Sequence, residues 1–235
     1  MKSNKFLSIT CAALVLSGST MSCNSLKKLT REEKGVIIGI GSGGAAGAAI
    51  GSKSKNPAVY AIVGSAIGGV AGAVIGKYMD KQAKQLEEDL KSVAEVERIE
   101  EGIKVTMNSG LLFGFDSYTL NDKNRESLSK LASTLNEYAD TEILIAGHTD
   151  SIGDESYNER LSDRRADAVA SFLSSQGIRK SRMVVRGYGE SSPQFSNDTK
   201  SGQDKNRRVE LAIVANDNLK NDAKKGKLDN TTALK

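Results

Sequence analysis

Apolar and polar residues follow a changing period through the second half of the chain. Ile103, Val105 and Met107 alternate with polar residues, which is typical of a half-buried strand. Later apolar residues recur at helical spacing or in short continuous runs, as in central strands. The pattern predicts a βαβαββ order over residues 102–215, an α/β (α+β) sandwich with helices on one sheet face. The remaining segments are a helix with Leu128, Leu131, Leu135 and Tyr138, a strand at 143–146, a helix from Leu161 to Leu173 ending at Gly177, and strands at 183–185 and 209–213.

Residues 35–79 show a different period, because glycine recurs every four residues in two blocks. Such spacing places the glycines on one helical stripe and allows two helix backbones to approach closely. We interpret residues 35–79 as a glycine-zipper helical hairpin, although a flexible glycine-rich linker is the alternative. Whether the hairpin inserts into a bilayer, forms homo-oligomers or packs on itself stays open. The glycines are Gly35, Gly39, Gly43, Gly47 and Gly51 in the first block and Gly64, Gly68, Gly72 and Gly76 in the second.

Two polar segments flank the predicted sandwich. Residues 80–101 carry apolar positions at spacings of three and four among Lys, Gln and Glu, which predicts a solvated connecting helix. Residues 216–235 contain five Lys and no aromatic residue, so we expect a disordered tail that buries too little to fold.

The N-terminus explains the chain's two cysteines. A short basic region with Lys2 and Lys5 precedes an apolar run and small residues, as in a secretory signal peptide over residues 1–22. The segment before Cys23 resembles the lipobox of bacterial lipoproteins, in which the cysteine becomes the acylated first residue. We therefore expect lipidation at Cys23, followed by a linker over residues 23–34. The alternative is an ordinary signal peptide that leaves Cys23 as a free thiol.

Composition excludes several classes of function. The net charge of +4 falls to +2 once the predicted signal peptide is removed, which is too small for a nucleic-acid footprint. One His and two Cys cannot form a tetrahedral zinc site without carboxylates. Nothing in the sequence indicates a cofactor. His148 and Asp150 beside several serines weakly suggest a hydrolase, but no Gly-x-Ser-x-Gly elbow is present, and we expect His148 to brace its loop by hydrogen bonding.

One charged residue interrupts the apolar face of the second helix. Arg165 lies in the middle of that face, where a cation must meet an anion or remain as a costly buried charge. The preceding loop carries Asp150, which can converge with Arg165. Such a pair suits a zwitterionic ligand, with Asp150 taking an ammonium group and Arg165 a carboxylate. An internal Asp150–Arg165 salt bridge without a ligand is the alternative.

Several motifs around these residues resemble the OmpA-like C-terminal domain over about residues 103–215. The resemblance implies a non-enzymatic domain that binds peptidoglycan through diaminopimelate, with Asp150 holding its amine and Arg165 its carboxylate. By the same resemblance, Asp116, Thr149, Asn158 and Arg207 line the pocket. The matching motifs are Gly147-His148-Thr149-Asp150, Tyr157-Asn158, Leu161-Ser162, Arg165-Ala166, Gly187-Tyr188-Gly189-Glu190, Pro193, Asn197 and Asn206-Arg207-Arg208-Val209-Glu210.

The order of segments also resembles a group of outer-membrane lipoproteins that carry a glycine zipper before an OmpA-like domain. This resemblance implies a protein anchored in the outer membrane by acylated Cys23, with a periplasmic domain that holds the cell wall. Asn24 does not match the Asp that follows the cysteine in an inner-membrane retention signal. The alternative is a stator-like or pore-like oligomer that inserts through its zipper and uses the wall-binding domain as an anchor.

Overall fold

A computed structural model of the chain describes residues 56–114 and 116–228. The predicted signal peptide, the lipidation site Cys23, the linker at 23–34 and the first glycine block lie outside these residues. The helices are α1 (Pro57–Ser65), α2 (Gly69–Leu90), α3 (Ser109–Leu112), α4 (Asp122–Glu137), α5 (Glu155–Ser175), α6 (Lys200–Asn206) and α7 (Asp217–Lys224), with a 3-10 turn at Lys180–Arg182. The strands are β1 (Ala94–Ile99), β2 (Gly102–Asn108), β3 (Thr141–Gly147), β4 (Met183–Gly187) and β5 (Arg208–Ala215).

The five strands form one sheet in the order β1-β2-β5-β3-β4. β3 and β4 are parallel and are joined through α5, whereas the other neighbouring pairs are antiparallel. Ile213 of β5 lies opposite Ile103 on one side and Ile143 on the other. This register puts the predicted apolar positions of three strands on one face and confirms the α/β sandwich with its βαβαββ core.

The main hydrophobic core lies between that front face of the sheet and helices α2, α4 and α5. Leu131 and Leu173 are fully buried there, as their helical spacing predicts. α5 ends as expected at Gly177, whose φ of +95° needs glycine. The amide of Ile178 donates to the carbonyl of Leu173 at 3.1 Å, which completes a Schellman cap.

The back face of the sheet is partly covered by α1, a helix that precedes the predicted sandwich and was not expected to pack on it. Ala58, Ala61 and Ile62 of α1 are buried in a second, smaller cluster. Asn56 caps this helix and donates from Nδ2 to Glu210 on β5 at 3.0 Å. Apolar periodicity predicts that a helix buries one face, but it does not say against which surface. The sheet residues of this cluster are Leu144, Ala146, Tyr188, Ala212 and Val214.

The second glycine block does not form one continuous helical arm. α1 ends at Ser65 and α2 begins at Gly69, and the link contains Gly68 at a φ of +65°. The carboxylate of Glu101 accepts hydrogen bonds from the amides of Ile67 and Gly68 at 2.8 and 2.6 Å. These bonds satisfy backbone groups that the interrupted helix leaves open. None of the helices in the described ranges is both long enough and apolar enough to cross a membrane.

The predicted connecting helix at 80–101 is wrong in its second half. α2 runs only to Leu90, and Ala94–Ile99 forms the edge strand β1 paired with β2. Val96 alternates there with Glu95 and Glu97, and the many charges resemble those of a solvated helix. An edge strand tolerates such charges, because they discourage pairing with other chains.

The predicted disordered tail is also wrong in its first part, since α7 follows β5 directly. Asn216 caps α7 by accepting from the amide of Leu219 at 2.9 Å. Leu219 and Ala223 pack on the main core from a single narrow stripe. Composition cannot detect such a short helix, because two buried residues in an otherwise polar segment hardly change its average.

Candidate functional site

A cleft of about 750 Å³ opens at one end of the main core. Its walls are the loop after β3, the first turns of α5, α3 with the segment after it, and α6. Gly147 and Gly187 let α5 come close to the ends of β3 and β4, because a Cβ at either position would collide with Ser162 or Asp163. The site residues expected from the sequence all line this cleft: Asp116, Thr149, Asp150, Asn158, Arg165 and Arg207.

Asp150 is almost fully buried at the base of the cleft. Its Oδ2 accepts from Nη1 of Arg207, and its Oδ1 accepts from the amide of Ile152 at 3.1 Å. The internal Asp150–Arg165 salt bridge left open by the sequence is therefore not formed. Arg207 also pairs with Asp204 on α6, so its guanidinium links two carboxylates across the cleft.

Arg165 projects from α5 into the same cleft and is 5% exposed. Its Nε donates to the carbonyl of Ser117 at 3.0 Å, and its guanidinium carbon lies 5.5 Å from the centre of the Phe113 ring. Its two terminal nitrogens make no hydrogen bond within the described residues. Burial lowers the pKa of Arg165, and the charge of Asp116 opposes that shift. The arrangement holds the guanidinium of Arg165 in place and leaves its two terminal nitrogens available to a ligand.

Asp116 and Tyr157 form the opposite side of the cleft. The Tyr157 hydroxyl donates to the carboxylate of Asp116, and this hydrogen bond raises the pKa of Tyr157. Asp116 has a φ of +49°, an unusual conformation for a residue other than glycine. The local backbone thus turns the Asp116 carboxylate toward α5.

Thr149 and Asn158 have different environments within the cleft. The Thr149 hydroxyl is buried without a hydrogen-bond partner among the described residues. The Asn158 amide donates to the carbonyl of Ile152 at 3.1 Å and to Glu190 at 2.6 Å. Thr149 is therefore able to bond a ligand, whereas Asn158 braces the loop that presents Asp150.

The formal charges that line the cleft balance. Three carboxylates face three cations: Asp116, Asp150 and Asp204 against Arg165, Lys200 and Arg207. A net-neutral site with separated charges favours a zwitterion over a simple anion or cation. Across the described ranges, no group of three or more His, Cys, Asp or Glu side chains is placed to hold a metal ion.

Comparisons with known proteins relate the chain to two sequence families. The OmpA family model matches residues 112–207, and a YMGG-like Gly-zipper model matches residues 1–80. The chain is 36% identical to the probable lipoprotein YiaD of Escherichia coli (strain K12), over 91% of this chain and 99% of the relative. This chain belongs to the OmpA family.

Two further relatives illustrate the reach of the OmpA-family domain. The outer-membrane lipoprotein YfiB of Pseudomonas aeruginosa is 39% identical over 49% of this chain and 69% of its own length. The solved structure of the cell wall anchor of the T6SS from Pseudomonas aeruginosa is 29% identical, with a TM-score of 0.52. It covers 57% of this chain and 96% of that structure.

His148 does not play the role that we expected from the sequence. Its backbone lies in the loop of the OmpA-family cleft, but its ring is buried on the back face and stacks on Tyr188 with centroids 5.5 Å apart. Neither ring nitrogen makes a hydrogen bond to any residue that the structure describes, so the predicted hydrogen-bonded brace is wrong. Burial, followed by the charge of Arg208, lowers the pKa of His148 well below its ordinary value. The ring is a neutral packing element.

Several cleft residues were not selected as site residues from the sequence, and Tyr157, Lys200 and Asp204 are among them. Tyr157 lies eight residues before Arg165 on α5 and so close to the same helix face. The helical-spacing argument that singled out Arg165 could therefore have identified Tyr157. Lys200 and Asp204 lie on α6, a seven-residue helix in a polar segment with no apolar periodicity. No local pattern identifies their position at the cleft.

Proposed function

We propose that this chain is an outer-membrane lipoprotein whose OmpA-family domain binds peptidoglycan non-covalently through diaminopimelate and tethers the membrane to the cell wall. The observation that carries the proposal is the state of Arg165. It is a buried cation whose two terminal nitrogens make no hydrogen bond within the described residues, in a cleft whose formal charges balance only when Arg165 is counted. A buried charge of this kind is costly unless a ligand completes it.

The diaminopimelate side chain ends in an amine and a carboxylate, which match the separated charges of the cleft. Arg165 would hold the carboxylate through two parallel hydrogen bonds. Asp150 would take the ammonium group and share its carboxylate with Arg207. Asp116 and Thr149 would add contacts, and Asn158 would act by bracing the loop of Asp150.

The relatives support the membrane and wall parts of the proposal. YiaD and YfiB are named as lipoproteins, and the T6SS structure is named as a cell wall anchor. Acyl chains on Cys23 would hold one end of the chain in the outer membrane, since more than one chain anchors stably. Joining two anchors raises the effective concentration of the domain at the wall, so a modest affinity suffices. Homo-oligomer formation through the zipper stays a prediction.

The direct test is retention of the full chain on diaminopimelate-type sacculi, comparing the wild type with Arg165→Ala. We expect the substitution to abolish most retention while circular dichroism shows a folded domain. Arg164→Ala is the matched control, because Arg164 is adjacent in sequence but solvent-exposed. Equal retention of the wild type and Arg165→Ala would contradict the proposal.

The ligand chemistry can be tested with lysine-type sacculi, whose stem-peptide side chain keeps the amine but lacks the carboxylate. We expect them to retain the wild type about tenfold less, because Arg165 then loses its partner. Equal retention on both wall types would assign the binding to another part of peptidoglycan. The anchor is tested separately by Cys23→Ala, which should release the chain from the outer-membrane fraction.

A further inference from the structure

The part of the back face that α1 leaves uncovered forms a second depression, the back-face trough, of about 570 Å³. Its floor is made by the outward residues of β1 and β2, and its far wall by the segment after Pro193 and by α6. The residues that matter below are Glu97, Lys104, Thr106, Gln194, Phe195 and Lys205. The proposed function uses none of them.

The two cations at the floor of the back-face trough, Lys104 and Arg208, are paired with carboxylates of the protein. Lys104 Nζ lies 3.0 Å from Glu97, and the Lys104 side chain is only 9% exposed. Arg208 Nε lies 2.7 Å from Glu210, and both side chains are buried. Lys91, Glu95 and Lys205 also line the trough, so its lining is polar and carries charges of both signs, which favours a ligand with many hydrogen-bonding groups.

Phe195 is presented at the edge of this trough with 44% of its surface exposed. Its amide donates to Asn206 Oδ1 at 3.0 Å, and its carbonyl accepts from Asn206 Nδ2 at 2.8 Å. Asn206 is fully buried, and Lys205 Nζ lies 4.8 Å from the centre of the ring. An aromatic ring held rigidly in water adds little to folding but is preorganised for binding. The C–H face of a sugar ring packs against such a platform while its polar groups reach neighbouring side chains.

α6 separates the back-face trough from the cleft. Lys200, Gln203 and Asp204 face the cleft, whereas Lys205 lies on the opposite side of the helix at the trough. A helix with its side chains is about 10–12 Å across. In peptidoglycan of this type, diaminopimelate is the third residue of the stem peptide, so it lies about 10 Å from the sugar when extended. One glycan unit and its own stem can therefore reach both depressions.

We propose that the back-face trough binds N-acetylated amino-sugar rings of the glycan strand, with Phe195 as the stacking platform. The inference rests on the proposed function, because it assigns the glycan of the same polymer whose stem peptide occupies the cleft. A wall polymer held on both sides of α6 would resist dissociation more than one held by diaminopimelate alone.

The test uses ligand-observed saturation-transfer NMR on the detergent-solubilised full chain with two separate probes. Tetra-N-acetylchitotetraose contains the sugar without a peptide, and free diaminopimelate contains the zwitterion without the sugar. We expect the wild type to bind both and Phe195→Ala to bind the oligosaccharide about tenfold more weakly with diaminopimelate binding unchanged. Phe195→Tyr should restore oligosaccharide binding, because it keeps the ring.

Tyr118→Ala is the matched control, since Tyr118 is 46% exposed and lies under Arg164 at 5.3 Å but does not line the trough. It should leave oligosaccharide binding unchanged. Absence of transfer to the oligosaccharide while diaminopimelate binds would overturn this inference and leave the proposed function standing. Equal oligosaccharide binding by Phe195→Ala would also overturn it. Oligosaccharide binding that depends on Phe195 without diaminopimelate binding would support the trough and contradict the cleft.

Discussion

Two buried arginines of this domain, Arg208 on the back face and Arg165 in the cleft, have opposite consequences. On the back face, Arg208 is 1% exposed and donates to Glu210, to the carbonyl of Asn206 and to that of Ser192. In the cleft, Arg165 is 5% exposed and, among the residues that the structure describes, makes one hydrogen bond, to Ser117. Burial alone therefore does not identify a functional charge. The difference lies in how many donors the protein itself satisfies.

The largest expected effect is on the back face, where the donors of Arg208 have partners, and it comes from substituting Glu210. Glu210→Ala leaves Arg208 buried without its carboxylate and removes the acceptor of Asn56 and Gln194. Breaking a buried ion pair by removing one partner costs about 3–5 kcal/mol. We expect a loss of that size in the free energy of unfolding, measured with urea. A loss below about 1 kcal/mol would mean that the buried Arg208–Glu210 pair contributes little to the stability of the domain.

Arg165→Met provides the matching substitution on the cleft side. It removes the hydrogen bond to Ser117, keeps an apolar stem near Phe113 and abolishes a buried charge that makes no ion pair within the described residues. We expect the free energy of unfolding to stay within about 1 kcal/mol of the wild type. A loss as large as that of Glu210→Ala would show that Arg165 supports the fold, and the comparison would fail.

His148, which is also buried on the back face, makes the stability of the domain depend on pH. The folded-state pKa of His148 is well below the ordinary value of 6.5. Just below pH 6.5, the unfolded chain therefore binds a proton that the folded chain does not bind. Stability must then fall as the pH falls. Between pH 7 and 5.5 we expect a loss of about 1 kcal/mol from this residue.

The measurement is urea unfolding at the two pH values for the wild type and His148→Gln, which cannot titrate. The difference between their pH dependences isolates His148 from the carboxylates. Parallel pH profiles would show that the ring titrates alike in the folded and unfolded states, in contradiction to the lowering of its pKa by burial and by Arg208.

The sequence predicts the strands and helices of the main core better than the elements around it, α1 and β1. The alternation of Ile103, Val105 and Met107 fixes one face of β2, and Gly177 marks the end of α5, because both depend on neighbours in sequence. The position of α1 on the back face depends on a distant surface, and its apolar stripe fits a zipper partner equally well. The edge strand β1 was missed for a related reason, since its charges suit either a helix or a sheet edge.

The cleft shows the same limit. The convergence of Asp150 and Arg165 follows from a loop directly before a helix, and the structure places both in one cleft. The partner of Asp150 could not be predicted, because Arg207 lies 57 positions away in sequence. The availability of Arg165 is a consequence of that distant pairing.

The smallest expected effect concerns Thr149, whose buried hydroxyl lacks a partner within the described part of the chain. Thr149→Val removes the hydroxyl with little change in shape, so the protein loses no internal hydrogen bond and should keep its stability or gain slightly. If the hydroxyl bonds the ligand, diaminopimelate binding should weaken by about 1 kcal/mol, or roughly fivefold. Calorimetry with diaminopimelate and urea unfolding of the same variant separate the two effects. A loss of stability without a loss of affinity would assign the hydroxyl to the fold.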